Sequence, residues 1–143
     1  MKSRLNEMTQ EFRDADRQER IELLIDLAKS LPPLPDRLAT LKDATHRVQE
    51  CQSPVFLFVE PEDGRIRLHA DAPIEAPTVR GFVALLVESL DGAPPSEIRA
   101  VPDDLVEQTG LTEILGMLRV HGLSGVLRRL KSEVARASAA PAS

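Results

Sequence analysis

The strongest constraint on the fold is a short β-type segment in the middle of an otherwise helical sequence. Residues 55–59 form a continuous apolar run, Val-Phe-Leu-Phe-Val, as in a buried strand. The turn-forming residues 60–64 follow, and then Ile66, Leu68 and Ala70 alternate with polar residues, as in a half-buried strand. The pattern predicts an antiparallel hairpin with a loop of about five residues.

Helical patterns precede this hairpin. Apolar residues recur at helical spacing over 5–12 and again over 21–31, which predicts two helices. Residues 31–35, Leu-Pro-Pro-Leu-Pro, end the second helix because proline disfavours helix at the residue before it. Residues 36–50 are polar and show no convincing period, so we expect them to be irregular.

Further helices follow the hairpin. A strongly amphipathic pattern over 79–90 predicts a helix that ends at Gly92. The remaining expected elements are two short helices starting near Pro102 and Thr112, and a last helix starting near Gly122 or Ser124. The sum is an α+β fold, with helices packed around a small antiparallel β-sheet. We expect one domain over residues 1–136 and a flexible C-terminal tail over 137–143.

Charge and composition argue against nucleic-acid and membrane partners. The 143 residues carry a net charge of −5, whereas phosphate binding requires a clustered positive field. They include four Phe and no Trp or Tyr, which is too few for a base-stacking surface. The longest apolar runs, 55–59 and 82–87, are far shorter than the roughly 20 residues of a membrane span. The N-terminal Met-Lys-Ser-Arg is not followed by an apolar stretch, so we expect no secretory signal.

Cys51 is the only cysteine and the principal candidate for chemistry. A single cysteine cannot form an intramolecular disulfide, and a free thiol fits a reducing compartment, so we expect a cytoplasmic protein. Burial is the default for a free cysteine. Its neighbours Glu50, Gln52 and Ser53 are polar, however, and it stands directly before a strand, where functional residues are common. This position favours a reactive thiol.

Five segments resemble motifs of one protein family. Residues 48–53, Val-Gln-Glu-Cys-Gln-Ser, followed by the apolar strand, resemble the V-x-G-C-Q-S signature of the SufE family. Residues 31–35 are similar to its Leu-Pro-Pro-Leu segment, and residues 70–72 and 79–81 to its acidic loop and its (Arg/Lys)-Gly. Residues 118–123 are similar to its Arg-x-x-Gly-Leu. The matches keep the family's order, and their order and spacing together make the resemblance specific.

The resemblance implies a function and its partners. Members of the SufE family accept sulfur from a PLP-dependent cysteine desulfurase, here of the SufS type, and deliver it for iron–sulfur cluster assembly, here to a SufB-type scaffold complex. Cys51 would be the persulfide acceptor, and the protein would stimulate the desulfurase without being an enzyme itself. The implied fold is SufE/NifU-like. The resemblance also implies a monomer or homodimer that binds no cofactor or metal of its own.

The resemblance assigns supporting residues to Cys51. Gln52 belongs to the signature, and Arg119 belongs to the late Arg-x-x-Gly-Leu motif. Arg80 lies in the first turn of the helix over 79–90, where the helix dipole and unpaired amides favour a thiolate or persulfide anion. Both arginines can also be read as ordinary surface residues.

Two departures from the family pattern bear on the site. Glu50 occupies the position of the family's usual glycine, where a carboxylate opposes thiolate formation and a side chain stiffens the loop. Arg47 and His46, four and five residues before the cysteine, offset this charge. The family's acidic position corresponds either to Asp71 or to Glu75, and the sequence leaves both open.

Two other functions are compatible with the residues. A thiol-dependent hydrolase or transferase would pair Cys51 with His46 or His121, but no recognisable signature of an oxyanion hole accompanies them. An interaction domain with an incidental cysteine is the other alternative. The three histidines and the single cysteine lack the paired spacing of zinc sites, so we predict no metal site.

Overall fold

Seven helices and one hairpin follow one another along residues 3–139, the part of the chain that this computed structural model describes. The helices are α1 (Arg4–Asp14), α2 (Arg17–Ser30), α3 (Asp36–Ala39), α4 (Pro77–Leu90), α5 (Pro95–Arg99), α6 (Leu105–Gln108) and α7 (Thr112–Ala139). The strands are β1 (Phe56–Glu62) and β2 (Arg65–Asp71), which pair antiparallel. The predicted α+β class with a small antiparallel sheet is therefore confirmed.

Helix α4 lies at the centre of the core. Ten of its fourteen residues are buried, and it packs against α2, α1, β2 and α7. A methyl group at Gly81 would lie 2.3 Å from the carbonyl oxygen of Leu24, so only glycine allows α2 and α4 to approach this closely. Buried apolar side chains from Leu5 to Val134 join α4 in one contiguous cluster.

The turn between the two strands is shorter than predicted. Glu62 pairs with Arg65, so only Asp63 and Gly64 connect β1 to β2. Both residues have positive φ, 53° and 78°, which is the type I′ conformation that an Asp-Gly pair favours. The expected five-residue loop is wrong, because residues 60–62 continue β1. The inward-facing residues of β2 are as predicted: Ile66, Leu68 and Ala70.

The last helix begins earlier than predicted. Helix α7 contains one non-helical residue, Gly116, whose φ of 79° and ψ of 161° divide it into two segments. The second segment therefore starts just after Gly116 and not near Gly122 or Ser124, so the motif over 118–123 lies within a helix. Residues 137–139 of the expected tail continue α7, and residues 140–143 lie outside the described residues.

Helices α3 and α5 have no counterpart in the sequence pattern. They contain four and five residues, too few to display a 3.6-residue repeat. Between residues 3 and 139, no helix combines the length and the apolar character that crossing a membrane requires.

Candidate functional site

Cys51 lies in a short loop that enters β1. The loop is closed at its base, where the Val48 amide donates a hydrogen bond to the Val55 carbonyl at 2.9 Å. The amide of Cys51 donates to the carbonyl of Val48 at 3.3 Å, which forms a turn within the loop. We call residues 49–54 the cysteine loop. Its short base hydrogen bond keeps its two ends together while the six residues between them stay outside the regular sheet.

The thiol faces the core, whereas its neighbours face solvent. Cys51 is only 5% exposed and belongs to the contiguous apolar cluster. Glu50 and Gln52, on either side of it, are exposed. An incidental structural cysteine would be buried in the same way, so burial by itself does not distinguish the alternative functions.

Two glycines of α7, Gly122 and Gly125, form a flat surface on which the cysteine loop packs. We call this surface the seat of the cysteine loop. A methyl group at Gly122 would lie 3.2 Å from the Cα of Cys51 and 3.4 Å from its sulfur. A methyl group at Gly125 would lie only 2.6 Å from the Cβ of Glu50. The two glycines are three residues apart and so share one face of the helix. The loop therefore rests directly on the backbone of α7 at both positions.

Arg129 fixes the segment that leads into the cysteine loop. It lies one helical turn beyond Gly125, and its guanidinium donates to the carbonyls of Thr45 and Arg47. Its Nε is paired with the Glu133 carboxylate at 3.0 Å. The sequence pattern does not single out Arg129 or Gly125, because contacts between α7 and a segment about 80 residues earlier leave no local signal.

Burial raises the pKa of the Cys51 thiol above its ordinary value. A hydrogen bond from the Ser53 backbone and the positive charge of Arg47 act in the opposite direction, and the Glu50 carboxylate raises the pKa further. Arg47 also donates from Nη2 to the carbonyl of Gln52 at 3.3 Å, which braces the loop. Because the thiolate is the nucleophile, this conformation holds the thiol in a weakly reactive form.

Arg80 is anchored to backbone carbonyls and not to the thiol. Its Nε donates to the carbonyl of Ala28 at 3.0 Å, and its Nη1 donates to the carbonyl of Ala72. Nη1 also lies 3.5 Å from a carboxylate oxygen of Asp71. The charges that shift the pKa of Cys51 do not include Arg80. The expected stabilisation of a thiolate by Arg80 therefore has no support in this conformation.

The two candidate acids have different surroundings. Asp71 is half-buried, accepts a hydrogen bond from the Lys42 ammonium at 2.8 Å and ends β2 opposite Phe56, the first residue of β1. It therefore lies at the end of the sheet from which the cysteine loop emerges. Glu75 is exposed in the connection from β2 to α4, next to Ile74, which is 76% exposed. Asp71 is tied into the fold, whereas Glu75 faces solvent.

Gln52 and Arg119 are exposed residues close to the loop in sequence or on its helix. Gln52 follows Cys51 directly, and its backbone carbonyl is held by Arg47. Arg119 lies on α7, three residues before Gly122. Neither the Arg119 charge nor the Gln52 amide contributes to the shifted pKa of the thiol.

The histidine nearest to Cys51 in the sequence is engaged elsewhere. The Nδ1 of His46 lies 2.9 Å from a carboxylate oxygen of Asp43, and its ring stacks on Phe58 with a centroid separation of 4.6 Å. His121 is exposed. Over residues 3–139, no group of three or more His, Cys, Asp or Glu is arranged to hold a metal ion.

The fold and the loop define a class of protein: small helical proteins with one hairpin, whose single thiol lies on a loop held against the last helix. The family model SufE, described as an Fe-S metabolism associated domain, matches residues 6–134. The chain belongs to the SufE family.

Individual relatives agree with this membership. An uncharacterized SufE-like protein of Mycobacterium tuberculosis is 42% identical over 134 residues, which cover 93% of this chain and 92% of the relative. The cysteine desulfuration protein SufE of Plasmodium vivax is 28% identical over 111 residues, 76% of this chain and 43% of that protein. The solution structure of a hypothetical protein from Thermus thermophilus is similar, with a TM-score of 0.83, 34% identity, and coverage of 95% of this chain and 96% of that one. The predicted family and fold are confirmed.

Proposed function

We propose that the protein is a sulfur carrier that accepts persulfide sulfur from a cysteine desulfurase on Cys51 and passes it on for iron–sulfur cluster assembly. The observation that carries this proposal is the cysteine loop. The cysteine that matches the family signature lies on a six-residue loop, which contacts Gly122 and Gly125 of α7 through Glu50 and Cys51. Such a loop can shield a thiol in one position and deliver it in another.

The transfer is a thiol–persulfide exchange. The Cys51 thiolate attacks the terminal sulfur of the persulfide on the desulfurase, a new S–S bond forms, and the S–S bond of the donor breaks. The electron pair leaves with the desulfurase thiolate, and Cys51 becomes a persulfide. One S–S bond replaces another, so no external oxidant or reductant is consumed. A second exchange hands the terminal sulfur to the next protein.

The buried position of Cys51 suits storage and not attack. At 5% exposure the thiol is screened from water and from other thiols, and its raised pKa keeps it protonated. To react, the loop has to leave its seat on α7 and let the thiol ionise. The neighbours Glu50 and Gln52 are exposed, so an arriving protein can contact the loop on either side of the thiol.

The proposed function defines the partners. The donor is a PLP-dependent cysteine desulfurase of the SufS type, which the carrier stimulates by removing its persulfide sulfur. The acceptor is a scaffold complex of the SufB type. The carrier is accessory to these proteins and not an enzyme in its own right. A thiol that has to remain reduced between transfers fits the cytoplasm.

The alternatives are less well supported. A hydrolase needs a base against the sulfur, and His46 is instead paired with Asp43 and stacked on Phe58. An interaction domain would share the burial of Cys51, but it does not account for the signature around it. Only a direct test of sulfur uptake separates the carrier from the interaction domain.

The experiment is sulfur loading followed by mass measurement. The protein is incubated with a cysteine desulfurase and free cysteine, and its mass is measured under non-reducing conditions. We expect a gain of one or more sulfur atoms on Cys51 and faster desulfurase turnover. Cys51→Ser should abolish both effects while its circular dichroism spectrum stays that of the wild type. An unmodified wild type, beside an established acceptor that is labelled in parallel, rejects the carrier function.

A further inference from the structure

We propose that Glu50 is a positioning residue that holds Cys51 in its buried position by packing across Gly125 of α7. This inference deepens the proposed function and rests on it for its biological meaning. It concerns the residue directly before the candidate thiol.

The contact is made along the whole side chain. A methyl group at Gly125 would lie 2.6 Å from the Cβ of Glu50, 3.1 Å from its Cγ and 3.0 Å from one carboxylate oxygen. One side of the Glu50 side chain therefore lies against the helix while the residue as a whole stays exposed, and any residue larger than glycine at position 125 would displace it. Its backbone carbonyl continues the contact, 3.4 Å from a methyl group at Gly122.

The same contact controls the neighbouring thiol. Residues 50 and 51 are consecutive and rest on glycines that are three residues apart on α7, so a movement of Glu50 off the helix carries Cys51 with it. A glycine at position 50 would make no side-chain contact with α7. Glu50 thus adds a restraint on loop opening that a glycine at this position would lack.

Glu50 also acts on the thiol through its charge. Its carboxylate opposes ionisation of Cys51, so the closed loop keeps the sulfur both buried and protonated. When the loop opens, the carboxylate and the thiol gain solvent, and the repulsion between them is screened. Packing and charge therefore act in the same direction, and two variants separate them.

The test is the rate of Cys51 alkylation by iodoacetamide over a pH series. Because the chain has one cysteine, every modification reports on this thiol. Glu50→Gln keeps the packing on Gly125 and removes the charge, so its profile should shift to lower pH without a rise in the high-pH plateau. Glu50→Ala removes both the packing and the charge. The alkylation rate of this variant at its high-pH plateau should therefore rise by about threefold or more, because the loop opens more often. Glu107→Ala and Glu107→Gln, at an exposed acid on α6, are the matched controls.

A second variant tests the same contact from the helix side. Gly125→Ala places a methyl group 2.6 Å from the Cβ of Glu50, so it should raise the plateau without removing any group from the loop. It should still fold, because alanine is a better helix former than glycine. Ser132→Ala, at an exposed position of α7, is its control.

The outcomes are decisive in both directions. A plateau of Glu50→Ala equal to that of the wild type overturns the proposal, and so does a plateau of Glu50→Gln as high as that of Glu50→Ala. An unshifted pH profile of Glu50→Gln also overturns it. Alkylation needs no desulfurase, so it tests the Glu50 contact independently of sulfur transfer. Failure of sulfur loading would reject the carrier function, but it would not change the alkylation rates or what they say about Glu50.

Discussion

The sulfur of Cys51 lies directly against the backbone of Gly122, where a methyl group would be 3.4 Å away. Gly122 belongs to the second segment of α7, whose buried residues Leu123, Val126 and Leu127 anchor it in the core. The helix cannot retreat, so the loop must yield to any larger residue at position 122. The absence of a side chain at position 122 therefore allows the thiol to lie this close to the helix.

Substitution of Gly122 by valine should expose the thiol. The branched side chain would press on the Cα and the sulfur of Cys51 and push the cysteine loop off α7. We expect faster alkylation of Cys51 and an unfolding free energy lower by about 1–3 kcal/mol, as for other overpacked sites. Chemical denaturation and timed alkylation measure the two effects. Ser132→Val controls for the effect of a β-branched residue in α7. An unchanged alkylation rate in Gly122→Val would contradict the packing of Cys51 against Gly122.

The raised pKa of Cys51 should make stability depend on pH in the alkaline range. The unfolded thiol ionises near its ordinary pKa of about 8.5, whereas the folded thiol ionises at a higher pH. Between the two values the unfolded state binds fewer protons than the folded state, so stability falls as the pH rises. The stabilising contribution is complete below the unfolded pKa.

Cys51→Ser isolates this contribution because it removes the titrating group. The difference in unfolding free energy between wild type and Cys51→Ser should narrow as the pH rises above about 8.5. Urea denaturation under reducing conditions at several pH values measures it. A difference that widens with pH would mean that the folded protein favours the thiolate.

Arg80→Ala should lower stability and leave the thiol titration unchanged. The guanidinium joins the end of α2, through Ala28, to the connection that follows β2, through Ala72. Loss of these bonds to a charged donor should reduce the unfolding free energy by about 1.5–3 kcal/mol. The pH profile of Cys51 alkylation should match that of the wild type. A profile shifted to higher pH would instead restore the role that the helix position of Arg80 suggests.

Arg129→Ala should loosen the start of the cysteine loop. The variant leaves the carbonyls of Thr45 and Arg47 without their charged donor. We expect faster hydrogen exchange over residues 45–48 and faster alkylation of Cys51, with a loss of about 1–2 kcal/mol in unfolding free energy. Arg128→Ala, at the exposed neighbouring position, is the control. Equal exchange in the two variants would show that Arg129 does not fix the loop.

Local patterns account for the elements that were predicted well. The alternation over Ile66, Leu68 and Ala70 follows from a sheet with one buried face, and the stripe over 79–90 follows from a helix packed into the core. The predicted turn length and the predicted start of the last helix were wrong, because several residues in each segment could form the turn or interrupt the helix. Asp63 and Gly64 form the turn, although the acidic and proline residues before them are also common in turns. Gly116 breaks α7, whereas Gly122 lies within it.

The site shows the same division. The cysteine, its polar flanks and the order of the motifs can be read along the chain, because neighbouring residues carry them. The seat of the cysteine loop cannot be read along the chain, because it joins residues 50 and 51 to Gly122 and Gly125, which are distant in the sequence. Such contacts depend on how α7 packs against the sheet, and no spacing in the sequence encodes that packing. The chain itself specified which thiol is the candidate for chemistry; the folded arrangement specified that this thiol rests buried against the glycine face of α7.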